Sequence, residues 1–184
     1  MFEVEQPNQY APEFIPSNGQ YSSSLLENSA LGTIVANITA TDQDVGIRGE
    51  VYYTITAGND DGKFVIDNNT GMVETAGLLD RETTASYNLT VTAYDGSLPP
   101  RRRYQNGQLT INVLDVNDNS PSIIVQSMVV IPENLTKGDV VTTLSATDLD
   151  DGMYGAVKFR ILSGNDAGWF ALDDSTGEIT INGK

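Results

Sequence analysis

Acidic and carboxamide side chains recur in this chain at a constant offset of 106 residues. Glu27-Asn28 recurs as Glu133-Asn134, and Thr41-Asp42-Gln43-Asp44 recurs as Thr147-Asp148-Leu149-Asp150. Glycine and apolar positions around these motifs keep the same offset, which indicates one fold unit used twice. Because the acidic residues repeat together with the apolar ones, each unit carries part of a chemical site as well as a core.

Calcium is the ion that these groups suit, since it takes six to eight oxygens from carboxylates, carboxamides and backbone carbonyls. More such oxygens lie in Asp80-Arg81-Glu82, at Asp95, and in Asp115-Val116-Asn117-Asp118-Asn119 between the two copies. In a β-sandwich these positions fall at the poles, so we expect carboxylates of both copies to meet at the linker. Without bound cations these carboxylates would repel one another, and three divalent ions would nearly neutralise their negative charge. The seven carboxylates expected there are Glu27, Asp80, Glu82, Asp115, Asp118, Asp148 and Asp150.

The composition excludes several classes of function. A net charge of −15 makes nucleic acid and anionic lipid poor partners, because both carry negative charge. Without cysteine there can be no disulfide or thiolate metal site, and without histidine the usual zinc ligand and general base are missing. We find no apolar run long enough for a membrane helix and no opening signal peptide. We therefore expect a segment of a larger protein.

Four Asn-x-Thr sequons favour a secreted context and make their asparagines glycosylation candidates. These asparagines are Asn37, Asn68, Asn88 and Asn134. Asn37 and Asn88 fall on the polar faces of predicted strands, where a glycan would have room.

Apolar and polar residues alternate with a period of two over residues 33–40, 87–93 and 109–113, which indicates half-buried antiparallel strands. The first copy reads as seven strands, which suggests a two-sheet Greek-key sandwich. We place them at residues 20–27, 33–41, 51–56 and 73–75, near Leu78, and at residues 87–94 and 108–114. The second copy holds only about the first four strands, so we expect its core to be incomplete.

The acidic motifs occur in a fixed order along the chain: Glu27-Asn28, Thr41–Asp44, Asp80-Arg81-Glu82, Asp95 and Asp115–Asn119. In this order, and at a spacing of about 110 residues between copies, they resemble tandem cadherin repeats. The resemblance implies an all-β fold of tandem seven-strand Greek-key sandwiches in a long non-classical cadherin, protocadherin-like or Fat/Dachsous-like. The implied organisation is an upstream linker remnant at residues 1–12, a first repeat at 13–114, a calcium-binding linker at 115–121, and an incomplete second repeat at 122–184. The implied function is calcium-dependent adhesion by an extracellular rod belonging to a plasma-membrane protein, with Ca²⁺ at the junctions.

The resemblance also implies a ligand set for each of three ions at the junction. The first ion would take Glu27, Asp80, Glu82 and Asp118. The second would take Glu27, Glu82, Asp115, the Val116 carbonyl, Asp118 and Asp150. The third would take Asn117, the Asn119 carbonyl, Asp148, Asp150 and a carbonyl near Tyr154. The family supplies one more aspartate to the third ion from a strand beyond residue 184, so we expect that site to be weakened.

The start of the chain departs from the family pattern. Gln6-Pro7-Asn8-Gln9-Tyr10 stands where an Asp-x-Asn-Asp-Asn linker would be, so both aspartates are replaced. The candidate ligands left at this upstream junction are Asn8, Tyr10, Asp42, Asp44 and Asp95. We expect at most one ion there and a more flexible junction.

Other functions are weighed against this one. The carboxylate pairs Asp42/Asp44 and Asp80/Glu82 could in principle do acid–base chemistry, but no histidine, nucleophile elbow or phosphate loop accompanies them, so we do not expect an enzyme. Arg101-Arg102-Arg103 is either a solvated hairpin tip or a contact for an acidic partner or heparan-like polymer.

The expected partners are cadherin ectodomains, homophilic or heterophilic. The alternative is a passive mechanical spacer without an adhesive interface of its own.

Overall fold

The computed structural model describes residues 7–124 and 128–183. The chain divides into two compact units, Met1–Val116 and Asn117–Lys184. Apart from a single-turn 3-10 helix at Gly46–Gly49, the regular structure in these described ranges is β-strand. The strands of the first unit are β1 (Glu13–Ile15), β2 (Gln20–Leu26), β3 (Ile34–Asn37), β4 (Thr39–Thr41), β5 (Val51–Ala57), β6 (Phe64–Ile66), β7 (Met72–Thr75), β8 (Ser86–Asp95) and β9 (Tyr104–Leu114).

The first unit is a sandwich of two main sheets. One sheet has the order β2-β9-β8-β5, with β2 parallel to β9 and the other pairs antiparallel. The other has the order β3-β7-β6, and β1 pairs separately with β4. The nine segments correspond to seven strands of a sandwich, because β1 with β2 and β3 with β4 are each one interrupted strand.

The core of the first unit follows the alternation seen in the sequence. Leu89, Val91 and Ala93 on β8 are at most 1% exposed, and Leu109 and Ile111 on β9 are fully buried. The intervening residues of both strands are half-buried or exposed. The period-two pattern therefore identified both the strands and the faces that pack inward.

The predicted strand at residues 33–41 is interrupted at Ile38, where the chain passes from one pairing to another. The Ile38 N–H donates to the carbonyl of Gly71 at 2.9 Å, while β3 pairs with β7 and β4 pairs with β1. Gly71 has φ of 72°, and a Cβ there would overlap the Ile38 carbonyl oxygen. Close approach of the two backbones therefore requires glycine at this position.

One of the strand predictions was wrong, and one strand was missed. The segment near Leu78 is not a strand, and the Leu78 side chain is 68% exposed. Its place in the sheet is taken by β6, which the sequence pattern did not reveal because it is only three residues long. Asn59 fixes the start of β6, since its carboxamide accepts from the Phe64 N–H at 3.1 Å and donates to the Phe64 carbonyl at 2.8 Å.

The second unit repeats five of these strands with the same pairing. They are β10 (Ser122–Ile124), β11 (Val140–Thr143), β12 (Ser145–Thr147), β13 (Phe170–Leu172) and β14 (Glu178–Ile181). β10 pairs with β12, and β11, β14 and β13 form one sheet, as β1 with β4 and β3-β7-β6 do in the first unit. The Leu144 N–H donates to the Gly177 carbonyl at 2.8 Å, which reproduces the contact between Ile38 and Gly71.

The core of the second unit is open. Among the described residues, the apolar side chains that are fully buried all belong to the first unit. In the second unit an apolar cavity of about 310 Å³ is lined by Val141, Ile161, Phe170 and Ile179, among others. Among the described residues, the second unit has no strands equivalent to β8 and β9, which cover this face in the first unit.

Candidate metal sites

The upstream pole of the first unit is built around the side chain of Asn8. Its Nδ2 donates to Asp95 Oδ2 at 2.8 Å, to Ser97 Oγ at 3.1 Å and to the Arg101 carbonyl at 2.6 Å. Its Oδ1 is buried and has no hydrogen-bond donor. The carboxamide is thus held by its nitrogen, and its oxygen is of a type that could bind a cation.

Asp42 and Asp44 follow β4 at the same pole. The Asp44 N–H donates to Asp42 Oδ1 at 2.9 Å, whereas Asp42 Oδ2 is buried without a donor. Asp44 Oδ2 accepts from the N–H groups of Gln9 at 3.0 Å and Tyr10 at 2.9 Å. Burial raises the pKa of Asp42 above its ordinary value, and the negative charges of Asp44 and Asp95 raise it further. A cation at this pole would relieve both effects.

Asp95 is the last residue of β8, lies at the upstream pole and is fully buried. Its carboxylate accepts from the Ser97 N–H and the Arg103 N–H, both at 2.8 Å. Burial alone would raise the pKa of Asp95, but the hydrogen bonds from Asn8, Arg103 and Ser97 hold it below its ordinary value. Asp95 is therefore a buried carboxylate that stays ionised at neutral pH.

The structure brings these predicted upstream residues together within one unit. Asn8 contacts Asp95, and the backbone of Tyr10 contacts Asp44, which in turn is bonded to Asp42. Gln6, the first of the two replaced aspartates, lies outside the described residues. The group offers one carboxamide and three carboxylates, and one oxygen each of Asn8 and Asp42 is buried without a donor; oxygen donors of these kinds are the ones that Ca²⁺ takes.

The opposite pole of the first unit is centred on Glu27, which is 2% exposed. Its Oε1 accepts from the Val116 N–H and its Oε2 from the Arg81 N–H, both at 2.8 Å. This arrangement ties the end of β2 to the linker and to the loop that carries Asp80 and Glu82. A buried carboxylate is retained here because two backbone N–H groups satisfy it.

Asp80, Glu82 and Asp115 are placed around Glu27 in the first unit. Asp80 accepts from the Thr83 hydroxyl at 2.8 Å and from the Thr83 N–H, and these bonds lower the pKa of Asp80. Burial, the charge of Glu27, and hydrogen bonding with Asp115 and Asp80 raise the pKa of Glu82. The Arg81 guanidinium lies 4.0 Å from Asp115 Oδ1 and partly offsets the negative charge.

The second unit carries its own group of predicted ligands. Asn119 donates to Asp150 Oδ1 from its backbone N–H at 3.2 Å and from Nδ2 at 2.9 Å, and Nδ2 also lies 3.1 Å from Asp118 Oδ1. The Asp150 N–H donates to Asp148 Oδ1 at 3.1 Å, which repeats the bond between Asp44 and Asp42. Asp150 is 7% exposed, and its Oδ2 is buried without a donor.

The remaining predicted residues of the second unit are less constrained. Asn117 is exposed, and the Tyr154 N–H donates to the Asp151 carbonyl at 3.1 Å. How the two groups of ligands, one in each unit, share ions stays a prediction from the sequence.

Two glycines belong to these sites and were missed in the sequence. A Cβ at Gly49 would overlap the Asp44 carbonyl oxygen, and a Cβ at Gly155 would overlap the Asp150 carbonyl oxygen. Both glycines let the following loop pass directly over the acidic turn. Their spacing of 106 residues is the signal that could have identified them.

Comparison with known proteins places the chain in a family. The sequence matches the Cadherin domain over residues 21–114 and 127–184. The "Fat-like cadherin-related tumor suppressor homolog" of Drosophila melanogaster is 36% identical over 176 residues, which are 95% of this chain and 4% of that protein. Cadherin-23 of Rattus norvegicus is 40% identical over 171 residues, 92% of this chain and 5% of that protein. The chain therefore spans only a small part of the length of these relatives.

A solved structure of mouse cadherin-23 repeats EC22-24 matches with a TM-score of 0.86 at 33% identity, covering 98% of this chain and 56% of that one. The predicted tandem cadherin-like sandwich, with a partial second copy, is thereby confirmed. Cadherin repeats are adhesion modules rather than enzymes, which confirms the expectation that this segment is not an enzyme. Cadherin domains generally bind Ca²⁺ at the junctions between repeats.

Within the described ranges, no helix has the length and apolar character needed to cross a membrane. The matched relatives are membrane cadherins in which such repeats are extracellular, as expected for this segment. The repeats, their acidic poles and the sequence matches agree: the chain belongs to the cadherin family and consists of extracellular cadherin repeats similar to those of Fat proteins, cadherin-23 and protocadherins.

Proposed function

We propose that this chain is a calcium-dependent segment of an adhesive cadherin rod, in which Ca²⁺ bound at the poles of the repeats makes the rod stiff. One observation carries the proposal. At the upstream pole of the first unit, Asn8 Oδ1 and Asp42 Oδ2 are buried without donors beside the ionised Asp95. Buried oxygens of this kind are costly unless a cation completes them.

The proposed ligands of the upstream pole are Asn8, Tyr10, Asp42, Asp44 and Asp95, which suffice for one ion. Gln9 brings a neutral side chain to a place where the family has an aspartate, so the charge for further ions is reduced. A junction with one ion would be less constrained than one with three.

At the junction between the repeats we propose up to three ions. Their proposed ligands are Glu27, Asp80, Glu82, Asp115, Val116, Asn117, Asp118, Asn119, Asp148, Asp150 and Tyr154. Support comes from each unit separately. Glu82 has a raised pKa among Glu27, Asp115 and Asp80, and Asp150 keeps a buried oxygen without a donor.

Several ions are needed because one weak site contributes little. Extracellular modules bind Ca²⁺ with dissociation constants of roughly 10⁻⁴–10⁻³ M. At a free calcium concentration about tenfold above the dissociation constant, one site stabilises the bound state by only about 1.4 kcal/mol. Stiffness therefore depends on sites that share ligands, and Asp118 is proposed to serve two ions.

Calorimetric titration with Ca²⁺ tests the ligand assignment. We expect Asp42→Ala to remove the upstream binding event alone and Asp118→Ala to weaken junction binding, while Asp60→Ala serves as a control because Asp60 is an exposed acid outside both ligand sets. Binding by both site variants that matches the Asp60→Ala control would refute the assignment.

Adhesion itself we propose to be homophilic or heterophilic contact with another cadherin ectodomain. One of the structural neighbours, protocadherin gammaB7 EC3-6, is described as a cis-dimer. Sedimentation of this chain in calcium-containing buffer distinguishes the possibilities: self-association that Asp118→Ala reduces supports a homophilic interface. A monomer at all concentrations favours a heterophilic contact or a passive spacer.

A further inference from the structure

Four arginines line one pocket on the first unit. The pocket has a volume of about 570 Å³, and its lining includes Arg48 from the 3-10 turn and Arg101, Arg102 and Arg103 from the loop between β8 and β9. The whole chain has 10 basic residues against 25 acidic ones. Two fifths of its basic residues therefore converge on a single concave site, which a solvated hairpin tip does not require.

The loop that carries these arginines is held in place by its neighbours. Arg102 donates from Nε to the Ser97 carbonyl at 3.0 Å, and its guanidinium carbon lies 4.7 Å from the centre of the Tyr94 ring. Asn8 donates to the Arg101 carbonyl, and the Arg103 N–H donates to Asp95. These contacts involve backbone atoms of Arg101 and Arg103, and the Nε atom and the flat face of the Arg102 guanidinium. Bidentate binding of an oxyanion involves other atoms, the terminal nitrogens of the guanidinium.

We propose that this pocket binds a sulfated polysaccharide. Grouped guanidiniums suit a ligand with several closely spaced strong-acid groups, and sulfate esters stay ionised over the whole physiological pH range. The net charge of −15 opposes binding of a polyanion to the chain as a whole, so attachment would depend on this local group of arginines. Binding would weaken as salt screens the interaction.

The alternative ligand is an acidic protein surface. The residues of an adjoining pocket make it possible to distinguish a protein ligand from a sulfated polysaccharide. That pocket is lined by Ile47 and Leu98 as well as Arg48 and Arg101. Ile47 is 60% exposed and Leu98 is 79% exposed. A docked protein would use these apolar side chains as anchors, whereas a sulfated sugar would depend on the guanidiniums.

The test measures binding of a heparin-derived octasaccharide to the full chain in calcium-containing buffer. We expect the triple variant R101Q/R102Q/R103Q to weaken binding about tenfold or more, since it removes three charge-assisted contacts. The matched control is K137Q/K158Q/R160Q, which also removes three positive charges but from the second unit, and we expect it to bind like the unaltered chain. Melting temperatures show whether each variant is folded, and Arg48→Gln, outside the loop, should also weaken binding.

Three results would overturn the proposal. Equal binding by the two triple variants would show that the pocket is not the site. Equal binding of a desulfated octasaccharide would remove the sulfate requirement. Tighter binding of a peptide of alternating glutamate and leucine, lost in Ile47→Ser/Leu98→Ser, would identify an acidic protein segment as the ligand instead.

Discussion

Asn8 and Asp42 show how single side chains prepare the upstream pole for an ion. The nitrogen of Asn8 has three acceptors, which fixes the orientation of its oxygen, and one oxygen of Asp42 is held by the Asp44 N–H. The remaining oxygen of each residue is buried without a donor. The resemblance to cadherin repeats predicted the members of this group. It did not predict the bonds from Asn8 to Ser97 and Arg101, because these depend on the path of the loop after β8.

Asp42→Asn is predicted to have opposite effects with and without calcium. The raised pKa of Asp42 means that its ionised form destabilises the calcium-free fold at neutral pH, and this destabilisation is relieved as the pH falls through the folded-state pKa. The neutral carboxamide should therefore raise the melting temperature in chelator and lose part of the stabilisation that calcium gives. Thermal melts of Asp42→Asn and Asp60→Asn in both buffers measure this. A melting temperature in chelator below that of the unaltered chain would contradict it.

The four sequons are not equivalent in the folded chain. Asn68 Nδ2, the atom to which a glycan would be attached, donates to the Tyr53 carbonyl at 2.9 Å and to the Tyr94 hydroxyl at 2.8 Å. All four asparagines are exposed, so the distinction lies in these hydrogen bonds of Asn68 Nδ2. We predict that chain secreted from animal cells carries glycans at Asn37, Asn88 and Asn134 and little or none at Asn68. Mass spectrometry of glycopeptides measures the occupancy, and full occupancy of Asn68 would contradict the prediction.

At the scale of elements, the sequence revealed long strands better than short ones. β8 and β9 alternate over enough residues to identify both the strand and its buried face. β6 has only three residues, and its position depends on Asn59, so the pattern instead suggested a strand near Leu78 that does not exist. The switch at Ile38 could not be read from alternation: a period of two would place Ile34 on the same face as Ile38 and Ala40, yet Ile34 is exposed and Val35 is buried.

Gly71→Ala tests the close backbone contact at this switch, with Gly62→Ala as its matched control. Both glycines have positive φ, 72° and 68°, but a Cβ at Gly62 would meet no atom within 4 Å. Gly62→Ala should lower the free energy of unfolding by roughly 1–2 kcal/mol, the usual cost of that conformation. Gly71→Ala should lower it further, because its Cβ would overlap the Ile38 carbonyl oxygen. Equal losses in denaturant titrations would show that the contact does not matter.

At the scale of the whole molecule, the repeat links fold and site. Asp42/Asp44 with Gly49, and Asp148/Asp150 with Gly155, recur at one offset and form the same local turn in each unit. The sequence could predict this much because fold and ligands repeat together. The number of ions at each junction could not be derived in the same way, since it depends on how ligands of neighbouring repeats approach one another.

Small-angle X-ray scattering of the chain in calcium and in chelator tests the central claim most directly. If calcium at the junction stiffens the rod, its addition should narrow the distribution of interatomic distances. Asp60→Ala should respond in the same way, and Asp118→Ala should stay close to its calcium-free curve. Superimposable curves for the unaltered chain with and without calcium would contradict the account.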